Sequence, residues 1–458
     1  MSEREYDVVV LGGGSSGEVC AGRAAEGGLR VALLEPHLVG GECSYYACMP
    51  SKALLRPGEL LAEAKRVPGV REAVTGELDP RAVLRRRDEV IHDLDDSGQL
   101  PWLEERGIEL FREAGRLDGE RRVRVGDDLL AAARAVVVAT GSGAAMPPIE
   151  GLDRVRAWNN RDATTAKEIP ASMIVLGGGP VGAELAQAWA TLGTRVTLIE
   201  DGEHLLPREE PFAGDQVAGS LRRNFGVDVR TGARLTRVEP GGEGVRCELE
   251  DGSDLEAAEI LVAVGRKPRT EEIGLDSAGI EPGGEGFLEV DDMLRLGGHD
   301  WLYAVGDVNG RALFTHMGKY QARIAADRIL GREAETIAEG AGSPRVTFTD
   351  PQIAAVGLTL AQAREKGINA SPTDVSTDGT AGASFYGKDT GGTTRIIVDE
   401  ERGVIVGVTF SGFETADFLH AATVAIIGEV PLKRLWHAVP AYPTRSEVWL
   451  KLLEAYGL

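Results

Sequence analysis

The chain has 458 residues, 43% of them apolar, which is long enough for two or three domains with cores of their own and too apolar for disorder. Its 72 acidic against 50 basic side chains leave a net charge of −22, which sets aside nucleic acid and anionic membrane as partners. Sixty glycines and 5% aromatic residues suit α/β units with many tight turns, and with Cys20 and Cys247 on core-like segments, four cysteines suggest one functional disulfide rather than a framework.

The charged start, Met1 to Asp7, leads straight into a strand-like run, and no apolar stretch approaches the ~18 residues of a membrane span, so a soluble cytoplasmic protein is expected. Tyr6 to Leu11 reads as a buried parallel strand. Gly12-x-Gly14-x-x-Gly17 follows it and opens a helix to about Glu26, and the next strand, Val31 to Leu34, ends in Glu35. This is the dinucleotide-binding fingerprint in its setting: the glycines let backbone approach a pyrophosphate at a helix N-terminus, with Ser16 in the loop, and the acid takes a ribose hydroxyl.

Next comes Gly40-Gly41-Glu42-Cys43-Ser44-Tyr45-Tyr46-Ala47-Cys48-Met49-Pro50-Ser51-Lys52, two cysteines five apart. In a regular helix their Cα atoms would stand roughly 8 to 9 Å apart, beyond the roughly 4.4 to 6.8 Å that a disulfide spans. Irregular backbone is therefore expected here, permitted by Gly40 and Gly41, with regular helix from Ser51 to Leu55. A helix start with Lys52 nearby favours thiolate. The spacing alone leaves a redox disulfide and two buried free cysteines both open.

The run resembles the active-site segment of the FAD-dependent pyridine nucleotide-disulfide oxidoreductases, Gly-Gly-x-Cys-x4-Cys-x-Pro-Ser-Lys, the family of dihydrolipoamide dehydrogenase, glutathione reductase and mercuric reductase. The resemblance implies a Cys43–Cys48 redox disulfide, with Cys48 against the flavin as the charge-transfer thiolate and Cys43 exchanging with substrate. It places Gly41 and Glu42 at the FAD. Tyr45-Tyr46 departs from the small or amide residues common there.

Helix-like charged sequence from about Arg56 to Arg106 follows, then strands leading to Ala135–Gly141. In the resembling family an Ala-Thr-Gly such as Ala139-Thr140-Gly141 closes the first part of the FAD domain. A linker from Met146 to Gly151 precedes a second fingerprint: strand Met173 to Leu176, Gly177-x-Gly179-x-x-Gly182, helix to Leu192, and strand Val196 to Ile199 ending in Glu200. Glu200 would bond a ribose 2′-OH and repel a 2′-phosphate, which favours NADH over NADPH. Two nucleotide sites make a hydride donor and a flavin acceptor, FAD at the first and NADH at the second. The resemblance further pairs Glu184 with Lys52 beside the flavin, takes Gly265-Arg266-Lys267-Pro268 as the return to the FAD domain with Arg269 where Asn is usual, and gives Asp307 of Gly306-Asp307 the ribityl chain.

From about Arg345 the glycine loops stop and strand-like runs Arg395 to Val398 and Val404 to Phe410 appear, with a helical segment from Glu414 to Ile427. This resembles the family's interface domain and implies a homodimer in which each chain lends residues to the other's disulfide. The family's closing signature, His-Pro-Thr-x-x-Glu, carries the proton of disulfide exchange on its His. Here it reads Tyr442-Pro443-Thr444-Arg445-Ser446-Glu447. A tyrosine with an ordinary pKa near 10 is a poor acceptor at neutral pH. His437, five residues upstream, is the nearest imidazole. The tail has no cysteine pair, and there is no HExxH, no CxxC and no histidine cluster, so no metal site is expected.

The expected fold is α/β, with two Rossmann-like dinucleotide-binding domains and a C-terminal α+β dimerisation domain: FAD domain 1–150 and 274–344, NAD domain 151–273, interface domain 345–458. The expected activity passes electrons from NADH to FAD, to the Cys43/Cys48 disulfide and on to a small-molecule or small-protein acceptor, as in dihydrolipoamide dehydrogenase. The alternatives are a reductase of a quinone, metal ion or other non-disulfide acceptor, and a degenerate redox-sensing flavoprotein.

Overall fold

Strands rich in Val, Ile and Leu with no polar alternation belong in parallel sheets covered on both faces, and both glycine-loop segments are built this way. The computed structural model describes residues 3–242, 244–388 and 390–458, and these divide into two compact units. One comprises the chain up to Pro50, Asp88–Ala144 and Arg266–Gly340; the other comprises Ser51–Arg87, Ala145–Gly265 and Ala341–Leu458.

The first unit is organised on a seven-stranded sheet in which Glu3–Leu11 lies between Val31–Leu34 and Asp128–Val138, all parallel, with Val9 opposite Ala32 and Val136. Leu302–Ala304 adds a further parallel strand beside Asp128–Val138, and Arg122–Val125 and Gly115–Leu117 extend the sheet antiparallel. Because the side-chain period is two, Val8 and Val10 face the layer holding the helices Ser15–Glu26 and Thr315–Ile329, while Val9 and Leu11 face the layer with Val123, Leu130 and Leu288. All four are buried.

In the second unit Ser172–Leu176 lies between Arg195–Glu200 and Glu259–Val262 in a four-stranded parallel sheet completed by Asp228–Thr231. The helix Pro180–Thr191 packs on it with Ala183, Ala186 and Trp189 buried. A five-stranded antiparallel sheet, Arg345–Thr347, Gln352–Gly357, Val404–Gly412, Thr393–Asp399 and Ala370–Ser376 in spatial order, forms the C-terminal part. The helix Leu419–Ile427 lies against its two central strands.

Two differences from the sequence reading bear on the site. The helix-like region from Arg56 to Arg106 is helical but interrupted: it holds the end of the α-helix Cys48–Arg66 and the α-helices Pro80–Val90 and Leu100–Glu105, with short 3-10 turns between them. The cysteine segment is a short helix, Gly41–Tyr45, broken at Tyr46 (φ −132°) and resumed as Cys48–Arg66, so regular helix begins at Cys48 and not at Ser51. Pro50 does not delay it, because the first-turn N–H that proline lacks has no intrahelical partner in any case.

Candidate active site

Both glycine loops close in the same way. Gly12 (φ +104°) and Gly177 (φ +105°) turn the chain off the first strand in a left-handed conformation that favours glycine. Their N–H groups donate to Leu34 O and Ile199 O, each at 2.8 Å. A Cβ on Gly17 or Gly182 would overlap the carbonyl oxygen of Gly12 or Gly177, so these glycines let helix and strand touch. Gly14 and Gly179 are the helix N-caps and make no side-chain cap bond. A Cβ at Gly179 would meet nothing within 4 Å, and at Gly14 only Gly41 Cα at 3.9 Å. Open space in front of uncapped helix N–H donors fits a dinucleotide pyrophosphate in each loop.

The acids do similar work. Glu35 accepts from Gly13 N and His37 N at 2.8 Å each, and Glu200 from Gly178 N at 2.6 Å and Gly202 N at 2.8 Å. Burial raises the Glu200 carboxyl above the usual range, the two backbone donors oppose that, and neighbouring Asp201 adds to it.

Around the first loop, the Ser16 hydroxyl faces Gly306 and Gly318, where a Cβ would collide with it. Gly306 N donates to Gln321 Oε1 at 2.6 Å. Thr140 Oγ1 donates to Arg269 O at 2.7 Å, Arg269 N donates to Gly141 O at 2.9 Å, and Asp307 Oδ2 accepts from Ser142 Oγ at 2.6 Å. The Arg266 guanidinium holds Ser142 through its hydroxyl and its carbonyl, at 2.9 and 2.8 Å. Gly265 has a φ of +156° and accepts from Ala145 N at 3.0 Å.

Cys43 and Cys48 come together in the structure, the two side chains hydrogen-bonding to each other. The Cys43 thiol is pushed up, first by its hydrogen bond with Cys48 and then by burial, while Thr315 and the Lys319 ammonium pull it down. The Cys48 hydrogen bond and burial thus work against the thiolate bias expected from the helix start, and Thr315 and Lys319 work with it. Cys48 Sγ lies 3.4 Å from Thr315 Oγ1, at the first residue of Thr315–Ile329.

Lys52 does not act as a free cation: its Nζ is 2.7 Å from Glu184 Oε2 and 4.8 Å above the Phe348 ring. Glu184 is buried, and its other oxygen accepts from Phe348 N at 2.9 Å. A cavity of about 370 Å³ opens beside this pair, lined by Lys52, Leu55, Phe348 and Gln352 among others. In the C-terminal signature Tyr442 is 78% exposed, and Glu447 Oε2 accepts from Gly382 N at 3.2 Å. His437 is exposed. Arg445 is buried among the rings of Tyr386, Phe413 and Phe418, at 5.1, 5.8 and 5.1 Å.

Sequence reasoning missed Thr315, Phe348, Ser142 and Gln321. Each meets a motif residue from more than a hundred positions away, or, as with Gln321, from within a helix bearing no signature, so spacing carries no trace of it.

Among the described residues no helix is long and apolar enough to cross a membrane. The chain is 30% identical over 448 residues to a mercuric reductase of Staphylococcus aureus, covering 97% of this chain and 81% of that protein. It is 32% identical to a dihydrolipoyl dehydrogenase of Thermus scotoductus, covering 99% and 97%. Among solved structures it is similar to the Cu(II) complex of the HOCl-induced flavoprotein disulfide reductase RclA from Escherichia coli, with a TM-score of 0.87, 25% identity and coverage of 98% and 99%. Residues 343–453 match the dimerisation domain of the pyridine nucleotide-disulphide oxidoreductases, which indicates a homodimer. With residues 6–326 matching the main domain as well, the chain belongs to the pyridine nucleotide-disulphide oxidoreductases, enzymes that use FAD and a pyridine nucleotide.

Proposed function

We propose that the protein is an NADH-dependent reductase in which Cys43 and Cys48 relay two electrons to an acceptor. Bound FAD supplies the transfer of an electron pair between nicotinamide and disulfide. The balance is a hydride from NADH and one proton from solvent for each disulfide opened to two thiols. In this reading Glu35 and the Gly12–Gly17 loop hold FAD, with Gly41, Glu42, Thr140, Gly141, Gly306 and Asp307 around it. Lys52, fixed by Glu184, is the cation beside the flavin. The Gly177–Gly182 loop, Glu200 and Gly265 hold NADH.

The preference for NADH rests on Glu200, whose carboxylate is anchored by two backbone N–H groups at the place where a 2′-phosphate would have to sit. Comparing kcat/KM for the two nicotinamides tests it, and a preference for NADPH would contradict it. A second reading concerns the acceptor and rests on Tyr442, which stands where the family has its base and which makes no hydrogen bond to Glu447. Losing a positioned base costs roughly 10²- to 10⁴-fold in exchange. A quinone, which takes its two protons from solvent, or a metal ion does not depend on that base, and the likeness to a mercuric reductase and to a Cu(II) complex supports this reading. Purified protein with NADH is to be screened against disulfides, quinones and metal ions. Slow disulfide turnover that rises on Tyr442→His, with quinone turnover unmoved, is expected. Disulfide turnover at an ordinary rate near ~10 s⁻¹, unchanged in Tyr442→His, would reject it and turn attention to His437.

A further inference from the structure

Thr315 touches the cysteine pair and has no part in the reading above, and its place is fixed by the fold. It is the first residue of the 15-residue helix Thr315–Ile329. In the same turn, Gly318 packs so closely that a Cβ there would lie 2.3 Å from Ser16 Oγ and 3.1 Å from Gly306 Cα. A little further along, Gln321 Oε1 accepts from Gly306 N at 2.6 Å. The start of this helix is thereby pinned against Ser15–Glu26, and Thr315 Oγ1 comes to 3.4 Å from Cys48 Sγ.

The same hydroxyl also hydrogen-bonds Cys43, in the sense that favours the Cys43 thiolate. A threonine inside a helix can turn its hydroxyl back to a carbonyl three or four residues earlier, but here those residues, Ala312 and Arg311, lie outside the helix. The hydroxyl therefore meets two sulfurs with one O–H to give, and as an acceptor it can take an S–H from the other.

Those two roles match what the chemistry leaves behind. A hydride brings two electrons and one proton, so a disulfide opened by it holds one thiol and one thiolate until a second proton arrives from solvent. Cys43 and Cys48 hydrogen-bond each other, and the hydroxyl adds a donor that carries no charge of its own. Of the charged groups around the pair, Lys319, one turn after Thr315 on the same helix, draws Cys43 towards thiolate, and Glu18 on Ser15–Glu26 feels the same ammonium. Glu42, the residue before Cys43, is ion-paired with Arg269. His316, next along the helix, is exposed and stacks on Phe314 at 5.5 Å.

We propose that Thr315 is a catalytic residue of the disulfide step: its hydroxyl donates to whichever of Cys43 and Cys48 carries the negative charge, and so stabilises the thiolate from within one chain. This rests on Cys43 and Cys48 forming the redox pair proposed above. Thr315 does not replace the missing base, because a hydroxyl that gives one proton as it takes another leaves the proton count unchanged.

Thiolate formation is read from the rate at which iodoacetamide labels each cysteine of the purified holoprotein, reduced with dithiothreitol and then freed of it, with the labelled position assigned by peptide mass spectrometry. The thiolate is the nucleophile, so the midpoint of the rate against pH is the pKa of the thiol. Thr315→Val keeps the branched shape and loses the hydroxyl. Its midpoint at the faster-labelled cysteine of the pair should rise by about one pH unit, which slows labelling at neutral pH about tenfold. Thr315→Ala, the smaller variant without a hydroxyl, should match it, and Thr315→Ser should stay with the wild type. A hydrogen bond at contact is little screened, so the gap between wild type and Thr315→Val should be the same at about 0.05 and about 0.5 M salt, whereas a gap produced by a displaced Lys319 would close. An unmoved midpoint in Thr315→Val and Thr315→Ala, a Thr315→Ser midpoint as high as theirs, or a gap that closes with salt overturns the proposal. Oxidised wild-type protein that still titrates all four of its thiols when denatured would overturn the redox pair itself, whereas a formed disulfide with unmoved midpoints would reject Thr315 alone.

Discussion

Glu18, in the first turn of the helix Ser15–Glu26, carries a carboxyl whose proton the fold holds on to. Burial pushes its pKa up to about 7 from 4.5, Lys319 opposes the rise, and Glu35 and Asp96 add to it. The sign follows from linkage. The folded chain keeps a proton that the unfolded chain gives up, so this contribution to stability is fully present below about pH 4.5 and is lost as pH rises through about 7. Its size is on the order of 3 kcal/mol at most. Glu18→Gln stays neutral throughout, so its Tm relative to wild type should be higher at pH 8 than at pH 5. Equal differences at the two pH values would show that Glu18 keeps an ordinary carboxylate pKa. Lys319 connects this carboxyl to the site, since the same ammonium pulls down both Glu18 and Cys43.

At the scale of the element, the repeated strand, glycine loop and helix separates two jobs that a motif writes with one letter. Gly182 is needed by the fold, because a Cβ there would run into the Gly177 carbonyl, whereas Gly179 has an ordinary φ of −68° and open space around its Cβ position. Gly182→Ala should therefore lower Tm by several degrees, a penalty of about 1 to 3 kcal/mol for overpacking. Gly179→Ala should leave Tm unchanged and raise KM for NADH, because its methyl group enters the space kept for the pyrophosphate. Thermal melts and initial rates distinguish them, and a destabilised Gly179→Ala would show that the open space is needed by the fold itself. This is also where legibility divided. Gly12 to Glu35 and Gly177 to Glu200 could be read because each is a contiguous strand–loop–helix–strand unit whose contacts lie about 22 residues apart or closer. The break at Tyr46 and the early helix start at Cys48 could not, since proline at a helix's third position is compatible with either start. Nor could Thr315 on Cys48, Phe348 on Glu184 or Arg269 on Glu42, with 267, 164 and 227 residues between partners.

At the scale of the whole molecule, the second unit exposes Val424, Trp436, Val439 and Tyr442, with Val439 84% and Tyr442 78% exposed. Isolated exposed apolar side chains are common, but these fall within or beside the helix Leu419–Ile427 and the turn that carries the C-terminal signature, inside the matched dimerisation domain. A two-fold contact uses the same patch on both chains, so one charge placed there is introduced twice. Val439→Glu should convert the protein to a monomer by sedimentation, since an unpaired charge in an apolar interface typically costs several kcal/mol. The consequence for activity depends on which chain supplies which group. The Tyr442–Glu447 segment is expected to act on the partner's disulfide, whereas Lys52, Glu184 and Glu200 are proposed to act on nucleotides bound by their own chain. A monomer should then still be reduced by NADH and still pass electrons to a quinone, while the disulfide turnover gained in Tyr442→His should vanish in Tyr442→His/Val439→Glu. A Val439→Glu protein that remains a dimer would remove Val439 from the interface. A monomeric double variant that keeps its disulfide turnover would mean that the signature serves its own chain and that Cys43 needs no partner.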